Sequence, residues 1–305
     1  MNSRDKHSGN SATPEVFAFI EADTNTFSYI VKDPDSNACA VVDSVLNLDY
    51  ASGTISYHSA DEIIDCIEAK GLQLELLIET HVHADHLSAA PYIQQKLGGK
   101  IAIGEQISEV QKVFATVFNT GAEFARDGSQ FDILLSDKQH YKIGDLDCYV
   151  MHTPGHTPAC MTHVIGDSAF VGDTLFMPDA GTARADFPGG DARVLFNSIQ
   201  KILSLPEKTK LYMCHDYESD DREIEYLTTV VEQKSNNIHV SAGTKVDDFV
   251  QLREARDKTL GMPRLILPSL QVNMRAGHFP KAEQNEQVYL KIPIAGLKPS
   301  LVSDS

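Results

Sequence analysis

The chain has 305 residues, of which 42% are hydrophobic and 23% charged, values typical of a soluble globular protein. Its formal net charge is −17. Such an acidic surface repels phosphate backbones, so nucleic acid is excluded as an expected partner. The sequence contains no stretch of about 18 apolar residues, and we therefore expect no membrane span.

The cysteines and the N-terminus predict a cytoplasmic protein. Cysteine occurs at five positions, none in a CxxC pair, so neither a disulfide framework nor a zinc–thiolate site is expected. Residues 1–14 are polar and lack the apolar middle of a secretory signal, and we expect a disordered leader there. The missing signal disfavours an exported antibiotic-degrading enzyme. We interpret Cys160 as a buried core residue rather than a nucleophile.

Strands and helices alternate in the first third of the chain. Residue composition predicts strands at 17–20, 26–31, 38–42, 74–79 and 100–103. Helices are predicted at 59–70 and 89–97. The first should open with a capping box formed by Ser59 and Glu62 and stop at Gly71. This order suits an α/β sheet with helical crossovers.

The remainder of the chain continues this pattern after a predicted surface loop at 121–137. Strands are predicted at 146–152, 161–165, 169–171 and 210–213, and helices at 191–203, 223–236 and 246–260. The prolines after Gly261 predict an extended tail. Without a convincing linker, we expect one domain over residues 15–295, with an extended C-terminal segment, and a flexible tail over 296–305.

A cluster of potential metal ligands follows the strand predicted at 74–79. His81, His83, Asp85 and His86 lie within six residues, just before a predicted helix. Imidazole and carboxylate groups suit zinc or iron. A polar loop with incidental histidines is the alternative interpretation, but three histidines and an aspartate in so short a stretch disfavour chance.

Three further strand ends carry similar residues. His156 lies in a Pro-Gly turn, Asp173 follows the strand at 169–171, and His215 follows the strand at 210–213. Each alone is more often a turn or cap residue than a ligand. In α/β sheets, however, ligand sites gather at strand ends. A shared metal site explains the recurrence better than four independent turns.

This set of residues resembles the ligand set of the metallo-β-lactamase superfamily in order and approximate spacing. Within it, several segments look most like the persulfide dioxygenases (sulfur dioxygenases) and the β-lactamase hydrolase-like proteins: Thr80–Ser88, His152–Pro158, Gly172–Phe176, Arg184–Phe187, His215–Tyr217 and Val272–Gly277. The resemblance implies an αββα sandwich, with two sheets back to back and helices outside. The longer 121–137 region and the Val-Asp-Ser at 42–44 depart from the pattern.

The resemblance also implies a reaction. In persulfide dioxygenases one Fe(II) is held at the positions of His81, His156 and Asp173, which would be the catalytic set. His83, Asp85, His86 and His215 would then orient ligands and water. The implied activity is oxidation of glutathione persulfide, or a similar low-molecular-weight persulfide, by O2 to sulfite and thiol. A homodimer is expected because relatives often dimerise.

Two alternatives remain open from the residues. The same donors are compatible with two zinc ions and a hydrolase of the glyoxalase II or lactonase type. A non-catalytic module is disfavoured because no ligand position is missing. An enzyme of either kind that acts on a glutathione derivative must bind the carboxylates of glutathione. Arg184 and Arg275 match arginines in the persulfide dioxygenase motifs, and Tyr217 can add a hydrogen bond. An internal salt bridge is the competing interpretation of each arginine.

Overall fold

The computed structural model describes residues 12–217 and 222–298. Most of the predicted leader (1–14) and of the predicted tail (296–305) therefore lies outside the described residues. None of the described helices has the length and apolar character that a membrane crossing needs.

The first half of the chain builds a six-stranded sheet in the order β1-β2-β3-β6-β8-β9. The strands β3, β6, β8 and β9 run parallel, and each step to the next crosses over through one helix, α1, α2 and α3 in turn. The bounds are β1 Glu15–Glu21, β2 Thr26–Lys32, β3 Ala38–Val42, α1 His58–Ala69, β6 Gln73–Ile78, α2 Ala90–Leu97, β8 Lys100–Gly104, α3 Ile107–Val117 and β9 Ile133–Leu135. A small sheet is formed by β4 Val45–Asp49, β5 Thr54–Ser56 and β7 Leu87–Ser88.

The second half builds another six-stranded sheet, with β10 to β15 in sequential order. All neighbours are antiparallel except β13 and β14, which α4 connects in parallel. The bounds are β10 His140–Ile143, β11 Leu146–His152, β12 Met161–Ile165, β13 Ser168–Phe170, α4 Ala192–Leu203, β14 Lys210–Tyr212, β15 Leu227–Thr229, α5 Val230–Asn236, α6 Val246–Asp257 and α7 Ile266–Asn273.

The two large sheets pack back to back. Between them lies an apolar layer in which Tyr29 of β2 meets Phe170 and Tyr212 of the second sheet at ring-centroid distances of 5.3 and 5.4 Å. One further core cluster joins the first sheet to α1, α2, α3 and α7, and another joins the second sheet to α4, α5 and α6. Each sheet thus buries both faces, as an αββα sandwich requires, and the predicted fold class is confirmed.

Several local predictions were wrong. The helix α1 begins at His58, and its N-cap residue Tyr57 makes no side-chain cap, so the predicted Ser59 capping box does not form. The Ser59 amide instead donates to Asn47 Oδ1 at 3.2 Å. The helix predicted at 223–236 begins only at Val230, where Thr229 and Glu232 form a capping box. Residues just before it join the sheet as β15.

Two helices escaped prediction. No element was predicted from the sequence where α3 lies, and α7 lies in the tail that was predicted to be extended. Pro268 sits in the first turn of α7, where a missing amide hydrogen costs nothing. The 121–137 region is largely irregular as predicted, but it includes the strand β9.

Candidate metal centre

The potential ligands lie where strands of both large sheets end. His81 and His83 follow β6, and His156 lies in the turn between β11 and β12. Asp173 occupies a short 3-10 helix, Gly172–Thr174, after β13, and His215 follows β14. An isolated bridge between Thr26 and His215 ties the second sheet to β2 at this edge. The two sheets therefore share one polar edge.

Two glycines make this edge possible. Gly155 has φ +135°, and a Cβ there would lie 2.3 Å from the backbone of Leu195 in α4. Gly172 has φ +53°, and its Cβ would lie 2.6 Å from Thr80 Oγ1. Both conformations suit glycine and strain other residues. The close approach lets the turns carrying His156 and Asp173 reach the site.

His81, His156 and Asp173 form one group of potential donors. Their ligand atoms lie within 4.8 Å of one another, and all three residues are buried. Asp173 Oδ2 is 3.8 Å from His81 Nε2 and 3.6 Å from His156 Nε2. These gaps exceed a hydrogen bond. Two donors about 2.1 Å from one cation lie roughly 3 Å apart at right angles, so a small contraction would close the group around an ion.

The far side of each imidazole is already fixed. His156 Nδ1 donates to the Arg184 carbonyl oxygen at 2.9 Å, which leaves Nε2 unprotonated on the neutral ring. His81 Nδ1 lies 3.0 Å from Thr80 Oγ1, while His81 Nε2 is buried without a hydrogen-bond partner. An orphaned buried nitrogen aimed at a carboxylate is what a metal ligand looks like without its ion.

Electrostatics favour the metal-binding protonation states of His81 and Asp173. Burial, helped by the charge of His83, holds the pKa of His81 well below its usual value, so its imidazole is neutral. Burial would raise the pKa of Asp173, but the charge and hydrogen bond of His215 outweigh it and hold that pKa well below the usual range. Neutral imidazole and ionised carboxylate are the forms that bind metals. The residues present therefore fit a cation.

A second group of donors adjoins the first. His215 Nε2 lies 3.3 Å from Asp85 Oδ2 and 3.3 Å from Asp173 Oδ1. His86 Nε2 is buried without a hydrogen-bond partner. Asp173 thus stands between the two groups, in the position of a bridging carboxylate. The arrangement has the donors for a second ion.

His83 differs from the other histidines in its hydrogen bonding. Its Nε2 lies 3.0 Å from Asp43 Oδ1 and 3.5 Å from Glu79 Oε2. Burial would lower the pKa of His83, but the charge and hydrogen bond of Asp43 raise it to about 9. Asp43 also accepts from the Thr80 amide at 2.8 Å, so it braces the His81 segment as well. Carboxylates hold His83 Nε2, while His83 Nδ1 is buried without a hydrogen-bond partner and stays open to an ion.

Asp43 and Glu79 also belong to the site, although neither was predicted from the sequence. Asp43 directly follows β3, which runs parallel to β6 with Val42 beside Ile78. An acidic residue at the end of a strand adjacent to β6 was therefore a usable signal. The Val-Asp-Ser at 42–44 was noticed only as a departure from relatives.

The comparisons with known proteins agree with this geometry. A sequence model described as the metallo-beta-lactamase superfamily matches residues 22–215. The chain belongs to the metallo-β-lactamase superfamily.

Three relatives at 47–54% identity carry the names of hydrolases, hydrolase-like proteins or glyoxylases. A probable metallo-hydrolase of Burkholderia pseudomallei is 54% identical over 92% of this chain and 98% of that protein. A beta-lactamase hydrolase-like protein of Agrobacterium fabrum is 47% identical over 95% of this chain and 67% of that one. A protein of Dictyostelium discoideum named glyoxylase B2 is also 47% identical, over 95% of this chain and 99% of its own length.

The resemblance to persulfide dioxygenases is confirmed at lower identity. The human mitochondrial persulfide dioxygenase ETHE1 is 27% identical over 88% of this chain and 91% of that protein. The crystal structure of ETHE1 from Myxococcus xanthus matches with a TM-score of 0.68 at 24% identity, covering 87% of this chain and 100% of that one. This structural match concerns the fold.

In this superfamily member, the donors open onto one cavity of about 670 Å³. The cavity is lined by the potential ligands His156, Asp173, Asp85 and His215, and also by Arg184, Tyr217 and other arginines. The volume suits a small-molecule substrate.

The structure separates the three predicted substrate-binding residues. Arg184 lines the cavity, but its Nε and Nη2 donate to Asp186 at 2.6 and 2.9 Å and its Nη1 donates to the Gly261 carbonyl oxygen at 2.7 Å. Tyr217 is 49% exposed and lies beside His215. Arg275 does not line the cavity; it donates to the Gln271 carbonyl oxygen and stacks over Phe124. A role for Arg275 in substrate binding stays a prediction.

Cys160 is buried, as expected from sequence. Burial raises the pKa of its thiol to about 12, and Thr157 donates its amide hydrogen to the sulfur at 3.3 Å. A protonated, enclosed thiol is not a nucleophile.

Proposed function

We propose that this protein is a persulfide dioxygenase that oxidises glutathione persulfide, or a similar low-molecular-weight persulfide, with O2 to sulfite and thiol. The observation that carries the proposal is the buried set of two histidines and one carboxylate, His81, His156 and Asp173, whose ligand atoms lie within 4.8 Å of one another. A two-histidine, one-carboxylate set is typical of non-haem Fe(II) oxygenases.

One ferrous ion per chain, held by these three residues, would supply open positions for the persulfide sulfur and O2. The protein's own contribution is positioning. The Arg184 carbonyl oxygen and Thr80 Oγ1 fix the two imidazole rings, and Asp43 braces the segment between β6 and His83. The cavity walls would hold the thiol carrier, and water entering the cavity would supply the third oxygen of sulfite, since O2 supplies two.

The resemblance to persulfide dioxygenases along most of the chain supports this proposal, as do the local motifs at 152–158 and 184–187. The test is O2 uptake and sulfite formation by protein reconstituted anaerobically with Fe(II). We expect one sulfite formed per O2 consumed, and no O2 uptake by the zinc-loaded control. An iron-loaded sample that binds its metal but consumes no O2 with any low-molecular-weight persulfide would refute the proposal.

A second candidate function is a dinuclear zinc hydrolase of the glyoxalase II or lactonase type. It is favoured by Asp85, His86 and His215, which place donors for a second ion next to Asp173. It is also favoured by the names of the relatives at 47–54% identity. Metal analysis of protein purified without added metal separates the two. One iron per chain favours the dioxygenase, and two zincs with thioester or lactone hydrolysis favour the hydrolase.

A further inference from the structure

The wall of the metal cavity is rich in arginine, but most of these arginines are already paired. Five arginines line it: Arg184, Arg222, Arg253, Arg256 and Arg264. Arg184 is paired with Asp186 at 2.6 Å, Arg222 with Asp179 at 2.8 Å and with Asp216, and Arg253 with Asp257 at 2.7 Å. A guanidinium that already holds a carboxylate has little left for a ligand.

Arg256 and Arg264 are the exception. Within residues 12–217 and 222–298, neither forms an ion pair or a side-chain hydrogen bond, and both are exposed. Arg256 lies on the last turn of α6, and Arg264 lies in the connection to α7. Both guanidinium groups are therefore available at the cavity.

Arg256 and Arg264 lie on different sides of the cavity. Arg264 also borders a smaller cavity of about 130 Å³ that Asp23 and His86 line, so it stands on the side of the β1–β2 turn. Arg256 stands on the α6 side, one helical turn from the buried Arg253. Between them in sequence, Leu260 and Met262 are 38% and 65% exposed and line the same cavity. Two cations thus flank an apolar patch beside the metal donors.

The two unpaired arginines contrast with the charge of the whole chain. The net charge is −17, so the surface in general repels anions. Two unpaired arginines at the cavity of the metal centre are the places where an anionic substrate arm can bind. Arginine binds carboxylate through a bidentate pair of hydrogen bonds.

We propose that Arg256 and Arg264 bind the carboxylates of the substrate's thiol carrier, while Leu260 and Met262 contact its apolar portion. Arg184, in contrast, is a positioning residue, because its carbonyl oxygen holds His156 and its guanidinium is occupied by Asp186. The identity of the carrier as glutathione, which has two carboxylates, rests on the proposed function. The carboxylate subsite would serve a glutathione thioester as well as a persulfide.

The experiment measures binding of glutathione to the full-length, metal-loaded protein under anaerobic conditions by titration calorimetry. We expect Arg256→Met and Arg264→Met each to weaken the Kd about 10- to 100-fold, because each loses a charge-assisted hydrogen-bonded pair. Metal content should stay unchanged. Arg126→Met is the matched control, since Arg126 is exposed and does not line the cavity. Glutathione diethyl ester, which lacks both carboxylates, should bind the wild-type protein as weakly as the variants bind glutathione.

Coenzyme A provides a thiol carrier whose anionic groups are phosphates. If the two substitutions weaken coenzyme A binding but leave glutathione binding unchanged, the carboxylate assignment is overturned. It is also overturned if the wild-type protein binds glutathione and its diethyl ester equally, or does not bind glutathione at all. Failure of the proposed reaction is a separate result: absence of O2 uptake leaves these Kd values untouched, whereas unchanged Kd values in active enzyme reject the subsite alone.

Discussion

A buried ion pair on α6 should control metal binding although it lies outside the ligand set. Asp257 Oδ2 accepts a hydrogen bond from the Ala185 amide at 2.9 Å, and Arg253 donates to the Thr182 carbonyl oxygen at 2.8 Å. Between these two anchor points, the Arg184 carbonyl oxygen accepts from His156 Nδ1 at 2.9 Å. The helix therefore fixes the segment that orients a metal ligand.

We predict that Asp257→Asn weakens metal binding. The amide has nearly the shape of the carboxylate, but it leaves the buried Arg253 without an anion and offers one acceptor oxygen in place of two. Removing one partner of a buried ion pair costs about 3–5 kcal/mol. Part of that cost will loosen residues 182–185, and losing support behind a metal-binding histidine typically lowers metal affinity about 10- to 100-fold.

The assay is competition for the metal against a chelator of known affinity, together with thermal unfolding of the metal-free and metal-loaded forms. Asp248→Asn is the control, because Asp248 lies on the same helix but is exposed and outside the cavity wall. The Asp257→Asn variant should show a smaller metal-induced rise in Tm than the wild-type protein. A variant that loses global stability but binds metal with wild-type affinity would refute the coupling between α6 and His156.

Three further predictions follow from single contacts. Gly155→Ala should prevent tight metal binding, because the new Cβ would lie 2.3 Å from the Leu195 backbone. The control Gly53→Ala is also at positive φ but has nothing within 4 Å of the new Cβ, so this variant should retain metal. Equal metal content in the two variants would contradict the prediction. Burial lowers the pKa of His163 to about 4 in the folded protein. As pH falls from about 6.5 toward 4, the unfolded chain takes up a proton on this imidazole that the folded protein does not, so the free energy of unfolding should fall by at most roughly 3 kcal/mol. Urea unfolding at pH 7.5 and 5 should therefore show a shallower pH dependence for His163→Gln, and an unchanged slope would reject the assignment. Asp43→Asn should lower metal content at limiting metal by about ten-fold, because His83 and Thr80 both lose their anionic partner. Metal analysis that finds wild-type occupancy would show that Asp43 does not support the site.

Much of the fold could be predicted because its strands carry their own signals. The strands Ala38–Val42, Leu146–His152 and Met161–Ile165 are apolar or alternating runs, and the structure places them at the predicted bounds. Helix ends were harder. Ser59 has the sequence of a capping residue, yet tertiary contact with Asn47 on β4 redirects its amide. A capping signal is local, while the competing partner is 12 residues away in the chain.

Site residues that directly follow a predicted strand could be identified from the sequence. Residues that reach the site only through the pairing of strands could not. His81, His156, Asp173 and His215 were selected because each follows a strand, and the structure brings them to one edge. Asp43 depends on the parallel pairing of β3 with β6, which no local pattern reveals. The same is true of Arg256 and Arg264, which reach the cavity only because α6 packs against α4 over the second sheet.

The hydrogen bonds of His83 decide which of its two ring nitrogens can face an ion. Its Nε2 is engaged by two carboxylates, Asp43 at 3.0 Å and Glu79 at 3.5 Å, while its Nδ1 is buried without a hydrogen-bond partner. Turning Nε2 away would leave both carboxylates buried without it, at a cost of several kcal/mol. This penalty keeps Nδ1 as the nitrogen that is open to an ion, and a ligand atom of His83 lies within 4.8 Å of those of Asp85 and His86. Asp43 therefore orients His83 for either candidate centre, although it lies outside the wall of the large cavity.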